Sequence, residues 1–200
     1  MNPPPEHDFS AARRHCAIAV GCIAVLPTRA FADLHDAAGP VKPARPVPAI
    51  VVTTQEGRQR PLQSLLEGKV SALQLMFTGC SSICPIQGAL FAAIEPALAG
   101  ASLRDAQLLS VSIDPLGDSP AQLQTWRRKF SAGTNWLAAV PTDRDLPRLV
   151  SWIGNSSTDI LDRHTTQILI VDRAARLTWR STDLPAAREV LAVLRAVHNT

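Results

Sequence analysis

The sequence predicts an α/β domain in which a central mixed sheet is covered by helices on both faces. From Ala49 onward, apolar runs of strand length alternate with helical patterns. A cysteine pair follows the second of these runs, directly before a helical pattern, and the chain ends in a hairpin pattern and a helix. Strands that alternate with helices build sheets covered on both sides. This order of elements is that of the thioredoxin-like fold, which we expect for residues 49–200.

The individual elements follow from hydrophobic period and from capping residues. We expect strands at residues 49–54, 69–77, 106–113, 136–140 and 165–171, with 176–180 as the hairpin partner of the last. We expect helices at residues 61–67, 85–98, 120–130, 145–153 and 185–198. The third of these helices has a clear start, because Ser119 can cap it and Pro120 suits the first helical position.

The N-terminal segment has the features of an export signal. Arg13 and Arg14 precede an apolar stretch at residues 16–26, and Ala30-Phe31-Ala32 follows it. This pattern predicts a secretory signal cleaved after Ala32. The apolar stretch is shorter than the ~20 residues of a membrane-spanning helix, yet an uncleaved N-terminal anchor is the alternative. We therefore expect a periplasmic protein, anchored to the membrane if residues 1–32 are retained.

A proline-rich stretch and a balanced charge describe the rest of the chain. Residues 33–48 contain four prolines, which predicts an extended linker ahead of the domain. The formal net charge is +3, from 20 basic and 17 acidic residues. This balance, without a basic run, argues against a nucleic-acid partner.

Cleavage of the leader would leave Cys80 and Cys84 as the cysteines of the mature chain, because Cys16 and Cys22 lie within residues 1–32. Cys84 is expected in the first turn of a helix, where the unpaired N–H groups and the helix dipole stabilise a thiolate. Such a pair can cycle through a disulfide or bind a soft metal ion such as Cu(I). A purely structural disulfide is the alternative, although so short a loop gains little entropy from closure.

The histidines are the candidates for a third metal ligand beside Cys80 and Cys84. His35 lies in the predicted linker and His198 lies next to the C-terminus. His164 differs from them, because it directly precedes the expected strand 165–171, and in a thioredoxin-like sheet the loop at that position faces the cysteines. Position alone leaves two interpretations of His164 open, a ligand and an ordinary surface histidine.

The motifs taken together resemble those of the Sco/SenC family of copper chaperones for cytochrome c oxidase. They are Thr78-Gly79-Cys80-Ser81-Ser82-Ile83-Cys84-Pro85, Val111-Ser112-Ile113-Asp114-Pro115 with Asp118-Ser119-Pro120, Asp162-Arg163-His164-Thr165, and Ile170-Val171-Asp172. The resemblance implies a copper ion, Cu(I) or Cu(II), bound by Cys80, Cys84 and His164. It also implies delivery of copper to the binuclear site of the oxidase, or reduction of the cysteines of that site.

Two departures from the family pattern concern the surroundings of these ligands. Ser81 and Ser82 stand where family members often have an acidic residue, and Arg163 directly precedes the histidine. The three candidate ligands themselves are present.

The hypothesis is thus a copper-binding metallochaperone whose partner is the copper-bearing subunit of cytochrome c oxidase or another copper or thiol protein. A thiol–disulfide oxidoreductase that uses Cys80 and Cys84 is the alternative, so whether the chain is an enzyme stays open at this point. A binding module with a structural disulfide is a third interpretation. The three-residue spacing of the cysteines, and Thr165-Thr166 in place of the Thr-Pro of thioredoxin-like reductases, favour a metal.

Overall fold

Eight strands and five helices are present in the residues that the structure describes. The computed structural model describes Met1 and residues 38–100, 103–154 and 166–200. The strands are β1 Gly39–Pro46, β2 Val51–Thr54, β3 Gln59–Pro61, β4 Val70–Met76, β5 Ala106–Ser112, β6 Trp136–Pro141, β7 Leu169–Val171 and β8 Arg176–Arg180. The helices are α1 Leu62–Leu66, α2 Ile83–Leu98, α3 Pro120–Lys129, α4 Leu146–Trp152 and α5 Ala187–His198. All of them belong to one compact unit, Ala32–Thr200.

The strands form one mixed sheet in the order β1-β8-β7-β4-β5-β6-β2-β3. β4 is parallel to β5 and β5 to β6, whereas β7 is antiparallel to β4 and β8 to β7. β4 and β5 are buried along their whole length, as central parallel strands are. The carboxyl ends of β4, β5 and β6 therefore meet the amino end of β7 at one edge of the sheet. We call this edge, with the loops 77–82, 113–119 and 166–168, the site edge.

Successive residues of β4 face opposite sides of the sheet, and helices cover both sides. Leu73 packs on the face that holds Leu149 of α4. Ala72 packs on the other face with Phe91 of α2 and Leu194 of α5. Each face removes apolar surface from water, and this is the main favourable contribution to folding. The predicted fold class is confirmed: the chain has a thioredoxin-like α/β fold, with helices on both faces of a mixed sheet.

The predicted helices are present, with small shifts at their ends. The largest shift that concerns the site is in α2, which begins at Ile83 rather than at Pro85 and so includes Cys84. The capping box of α3 is formed in both directions: the N–H of Gln122 donates to the Ser119 hydroxyl, and the N–H of Ser119 donates to the Gln122 side chain. β7 is shorter than predicted and begins at Leu169.

The proline-rich segment requires a correction, because part of it is not a free linker. Gly39–Pro46 is extended as expected, but it forms β1 and pairs antiparallel with β8. The indole N–H of Trp152 also donates to the Arg45 carbonyl at 3.3 Å. Prolines lack the N–H that an inner strand would need, so an edge strand is the place in a sheet that accepts them. Local composition predicted extension but contained no sign of the strand that binds this segment.

The predicted leader lies outside the described residues. Of residues 1–32 only Met1 is described, so the cleavage site after Ala32 remains a prediction. Across the described ranges, none of the helices is both long enough and apolar enough to cross a bilayer.

Candidate thiol and metal site

The two cysteines lie at the junction of β4 and α2. Cys80 belongs to the loop 77–82, which we call the cysteine loop, and Cys84 is the second residue of α2. The backbone N–H of Cys84 donates to the Cys80 sulfur at 3.4 Å. Both cysteines are buried and neither is in a disulfide. The first N–H groups of a helix have no partner within the helix, so one of them is free to bind the Cys80 sulfur. This arrangement agrees with the prediction that the cysteine pair stands at a helix N-terminus.

The two thiols differ in acidity. Burial by itself raises the pKa of Cys80, but hydrogen bonds from the side chain and backbone of Cys84 and from Ser82 outweigh it and lower the pKa from 9.0 to about 7. Burial, followed by the hydrogen bond to the Cys80 sulfur, raises the pKa of Cys84 to about 12. At neutral pH, Cys80 is therefore partly thiolate, the form that attacks disulfides and binds metals, while Cys84 is a protonated donor.

A cleft of about 450 Å³ opens in front of Cys80. Its lining comes from the cysteine loop, the start of α2 and the segment before β7: Phe77, Gly79, Cys80, Ser81, Ser82, Ile83 and Thr166. Cys80 keeps 8% of its surface exposed, whereas Cys84 is fully buried. A ligand or partner in this cleft therefore meets the Cys80 sulfur before that of Cys84.

Apolar side chains surround the buried side of the cysteine pair. Cys80 and Cys84 belong to a buried cluster with Met76, Leu123 and Trp126. Burial among apolar side chains removes water from the inner side of the two sulfurs. Met76 is fully buried in this cluster.

A close helix contact sets the distance between α2 and α3 directly behind the pair. A Cβ atom on Gly88 would lie 2.4 Å from the ring of Phe130, so only glycine permits this approach. The Phe130 ring is itself held between Trp126 and Trp136, with centroid distances of 4.8 and 6.0 Å. Gly88 lies one helical turn after Cys84, so this contact is made close to the amino end of α2.

The structure brings together two of the three candidate ligands. Cys80 and Cys84 are in contact, whereas His164 lies outside the described residues. Thr166, two positions after His164 in the sequence, is described and lines the cleft. Within the described ranges there is no cluster of three or more His, Cys, Asp or Glu side chains of the kind that holds a metal.

Two aspartates after β5 have different roles. The Asp114 carboxylate accepts from the Gly117 N–H at 2.9 Å, which makes it the cap of a local turn. Asp118 is buried and accepts from both the backbone and the hydroxyl of Thr78, in the cysteine loop. At the level of sequence, Asp114 and Asp118 stood out only as members of the family motifs, and the role of Asp118 was missed. The available signal was an acidic residue just before the Ser119-Pro120 helix start.

The fold and the site together define a class: a thioredoxin-like protein with a pair of free, hydrogen-bonded cysteines separated by three residues at a helix N-terminus. The SCO1/SenC family model matches residues 46–139. This match confirms the resemblance to the family that was noted from the motifs.

One curated relative illustrates the family at the level of sequence. The SCO1 protein homolog of Bacillus subtilis strain 168 is 31% identical over 83 residues, which are 41% of this chain and 42% of that protein. The matched region thus spans less than half of that relative.

Solved structures agree at the level of the fold. A SCO1/SenC family lipoprotein from Bacillus anthracis has a TM-score of 0.64 at 20% identity, covering 78% of this chain and 98% of that one. Bradyrhizobium japonicum ScoI with copper bound has a TM-score of 0.61 at 18% identity, covering 81% and 99%. Yeast Sco1 with copper bound has a TM-score of 0.64 at 18% identity, covering 80% and 96%.

Proposed function

We propose that this protein is a copper-binding metallochaperone that assists assembly of the binuclear copper site of cytochrome c oxidase. The observation that supports it most is the cysteine pair itself: two free cysteines joined by the hydrogen bond from the Cys84 N–H to the Cys80 sulfur, with the more acidic Cys80 lining a cleft. Sulfur ligands suit Cu(I), and an added imidazole suits copper in both oxidation states. Copper is the cargo in this proposal, bound in the cleft and passed to a partner.

We assign the third ligand to His164 on the position of its neighbour. Thr166 lines the same cleft as Cys80. A span of two residues reaches at most about 7 Å along the chain. An imidazole at position 164 would therefore be within reach of the cleft that Cys80 lines. Cys80, Cys84 and His164 would then form a three-coordinate S₂N site.

The different burial of the two sulfurs suggests an order of transfer. Cys80 faces the cleft and Cys84 is buried behind it. An incoming thiol or imidazole of the partner would replace Cys80 first, and Cys84 would release the ion last. The partner would be the copper-bearing subunit of the oxidase or another copper or thiol protein. Such an encounter agrees with the proposed location of the domain in the periplasm, free or tethered through residues 1–32.

Copper titration tests this proposal. The reduced full chain is prepared in a C16S/C22S background, so that Cys80 and Cys84 are its only thiols. We expect one copper ion per chain, with sulfur-to-copper charge-transfer absorption for Cu(II). His164→Ala should weaken binding at least about tenfold, the lower end of the loss seen when metal sites are perturbed.

His198→Ala is the matched control for that titration. The His198 carbonyl accepts from Arg173 in the turn between β7 and β8, at the opposite end of the sheet from the cysteines, so its loss should leave copper binding unchanged. Equal affinity in wild type and His164→Ala would remove His164 from the site. A reduced wild-type chain that binds no copper would reject the metallochaperone proposal.

The alternative is a thiol–disulfide oxidoreductase, and one observation favours it. The thiol near the surface has its pKa lowered to about 7 while the buried thiol has its pKa raised to about 12. This is the arrangement of an attacking and a resolving cysteine. Steady turnover with a small disulfide substrate, without tight copper binding, would make this the primary function. Both activities can also coexist, because copper binding needs the reduced pair.

A further inference from the structure

The buried carboxylate of Asp118 connects the cysteine loop to the neighbouring strand. Asp118 lies between β5 and α3 and is only 4% exposed. Its Oδ2 accepts from the Thr78 N–H at 3.0 Å and from the Ser112 hydroxyl at 2.6 Å. Its Oδ1 accepts from the Thr78 hydroxyl. Both hydrogen-bond donors of Thr78 are thus held by one side chain from another element.

Further hydrogen bonds connect this network to the end of β5. Ser112 is the last residue of β5, and its Oγ also accepts from the Asp114 N–H at 3.0 Å. The N–H of Asp118 donates to the Asp114 carbonyl at 2.9 Å. The carboxylate is therefore fixed to the end of a central strand, and the cysteine loop is fixed to the carboxylate.

The cysteine loop needs such a support. It joins β4 to α2 through Thr78-Gly79-Cys80, and glycine leaves the backbone at position 79 unusually free. Within the loop, the N–H of Cys80 donates to the Phe77 carbonyl at 3.2 Å. That turn orients Cys80 relative to Phe77 and Thr78, so the place of the sulfur depends on where Thr78 is held.

We propose that Asp118 is a positioning residue for the thiol site: through Thr78 it holds the Cys80 sulfur against the Cys84 N–H and toward the cleft. Residues that orient a reactive or metal-binding group matter because displacements on the order of 1 Å alter reactivity strongly. Their loss typically costs about 10–100-fold in metal affinity. The copper measurement below rests on the function proposed above, whereas the thiol measurements do not.

A purely structural role is the competing explanation, and Asp145 provides the comparison. Asp145 is also buried, at 8% exposure, and directly precedes α4 at the site edge. Its Oδ2 accepts from the Val51 N–H at 2.9 Å, and its Oδ1 lies 3.6 Å from Arg148. It joins two segments of the fold as Asp118 does, but neither segment is the cysteine loop.

The test compares Asp118→Asn with Asp145→Asn in the reduced full chain with the C16S/C22S background. The rate of Cys80 alkylation by iodoacetamide at pH 7 is followed by mass spectrometry. The reduction potential of the Cys80–Cys84 pair is measured in dithiothreitol redox buffers. We expect alkylation of Cys80 to slow about tenfold and the potential to shift in Asp118→Asn, with both values unchanged in Asp145→Asn. The proposal predicts a copper affinity lower by about 10–100-fold in Asp118→Asn alone.

Thr78→Val keeps the test decisive if Asp118→Asn does not fold. It removes the hydroxyl donor but keeps the backbone N–H. We therefore expect the alkylation of Cys80 to slow, but by less than in Asp118→Asn. If both variants fold, Cys80 in the double variant should be alkylated no more slowly than in Asp118→Asn, because the two residues act through one contact.

Three results would overturn the proposal. The first is an alkylation rate and a reduction potential in Asp118→Asn that equal those of the wild type. The second is an equal change in Asp145→Asn, which would indicate loss of stability in general. The third is faster alkylation in Asp118→Asn, which would show that the carboxylate acts through its charge rather than by position. If wild type binds no copper while the thiol measurements still separate the two variants, the metallochaperone proposal fails and the positioning role stands.

Discussion

The backbone N–H of Cys84 points at the sulfur of Cys80, 3.4 Å away. Cys84 thereby has two roles. Its amide and its thiol stabilise a negative charge on Cys80, and its own sulfur stays protonated behind that charge. A spacing of three residues makes this possible, because it places Cys84 in the first turn of α2 while Cys80 stays in the loop.

The acidity of Cys80 gives a pH profile for alkylation. Because the thiolate is the reacting form, iodoacetamide should label Cys80 with a midpoint near pH 7, where its pKa lies. Below that pH the thiol is protonated and labelling slows. Cys84 should stay unlabelled throughout this range, because its pKa is raised to about 12. A midpoint at the ordinary value of 9.0 for Cys80 would contradict the hydrogen bond from Cys84.

Enlarging Gly88 should destabilise the protein. Gly88→Ala places a methyl group within the ring of Phe130, which is confined by two tryptophans, and overpacking of this kind costs about 1–3 kcal/mol. Urea unfolding measures this loss. Gly79→Ala is the control, because its added Cβ would make only ordinary contacts at 3.7 Å with Phe77. If both variants lost the same stability, the contact between α2 and α3 would not be the cause.

A buried hydroxyl at the centre of the sheet should also be important for stability. The Ser110 hydroxyl accepts from the Gln74 side chain at 2.7 Å and from the indole N–H of Trp136 at 2.9 Å. Ser110→Ala leaves two buried donors without an acceptor, and each such group costs about 1–3 kcal/mol. The exposed Ser64 offers the comparison, since surface substitutions usually change stability by less than about 0.5 kcal/mol. Thermal unfolding that shifts equally for Ser110→Ala and Ser64→Ala would refute this account.

Export is tested on the cellular protein. If residues 1–32 are a cleaved signal, the mature protein begins at Asp33, and mass spectrometry of the periplasmic fraction shows that N-terminus. Reversing the charge of Arg13 and Arg14 to glutamate should retain the chain in the cytoplasm, because the positive region orients the signal. Arg58→Glu with Arg60→Glu, at exposed positions just before and within β3, should be exported normally. A periplasmic protein that keeps residues 1–32 would support the uncleaved anchor instead.

The sequence was most informative where structure depends on neighbours along the chain. The two central strands, the five helices and the capping box at Ser119 were all predictable, because hydrophobic period and capping residues are local properties. The cysteine pair at the start of a helix was predictable for the same reason. β1 was not, because prolines favour extension but only β8 supplies the strand that pairs with them.

The amino-acid sequence alone determined the fold class, the thiol pair and, through its motifs, the resemblance to the SCO1/SenC family. The tertiary structure decided the rest of the candidate site. It showed which of the two sulfurs is acidic and faces a cleft, that Thr166 shares that cleft, and that Asp118 rather than Asp114 contacts the cysteine loop. The acidity of Cys80 depends on its burial and on hydrogen bonds from Cys84 and Ser82, whereas the contact of Asp118 with Thr78 joins residues forty positions apart. No local pattern encodes such a distant contact, because it exists only once parallel strands bring their loops to the same edge of the sheet.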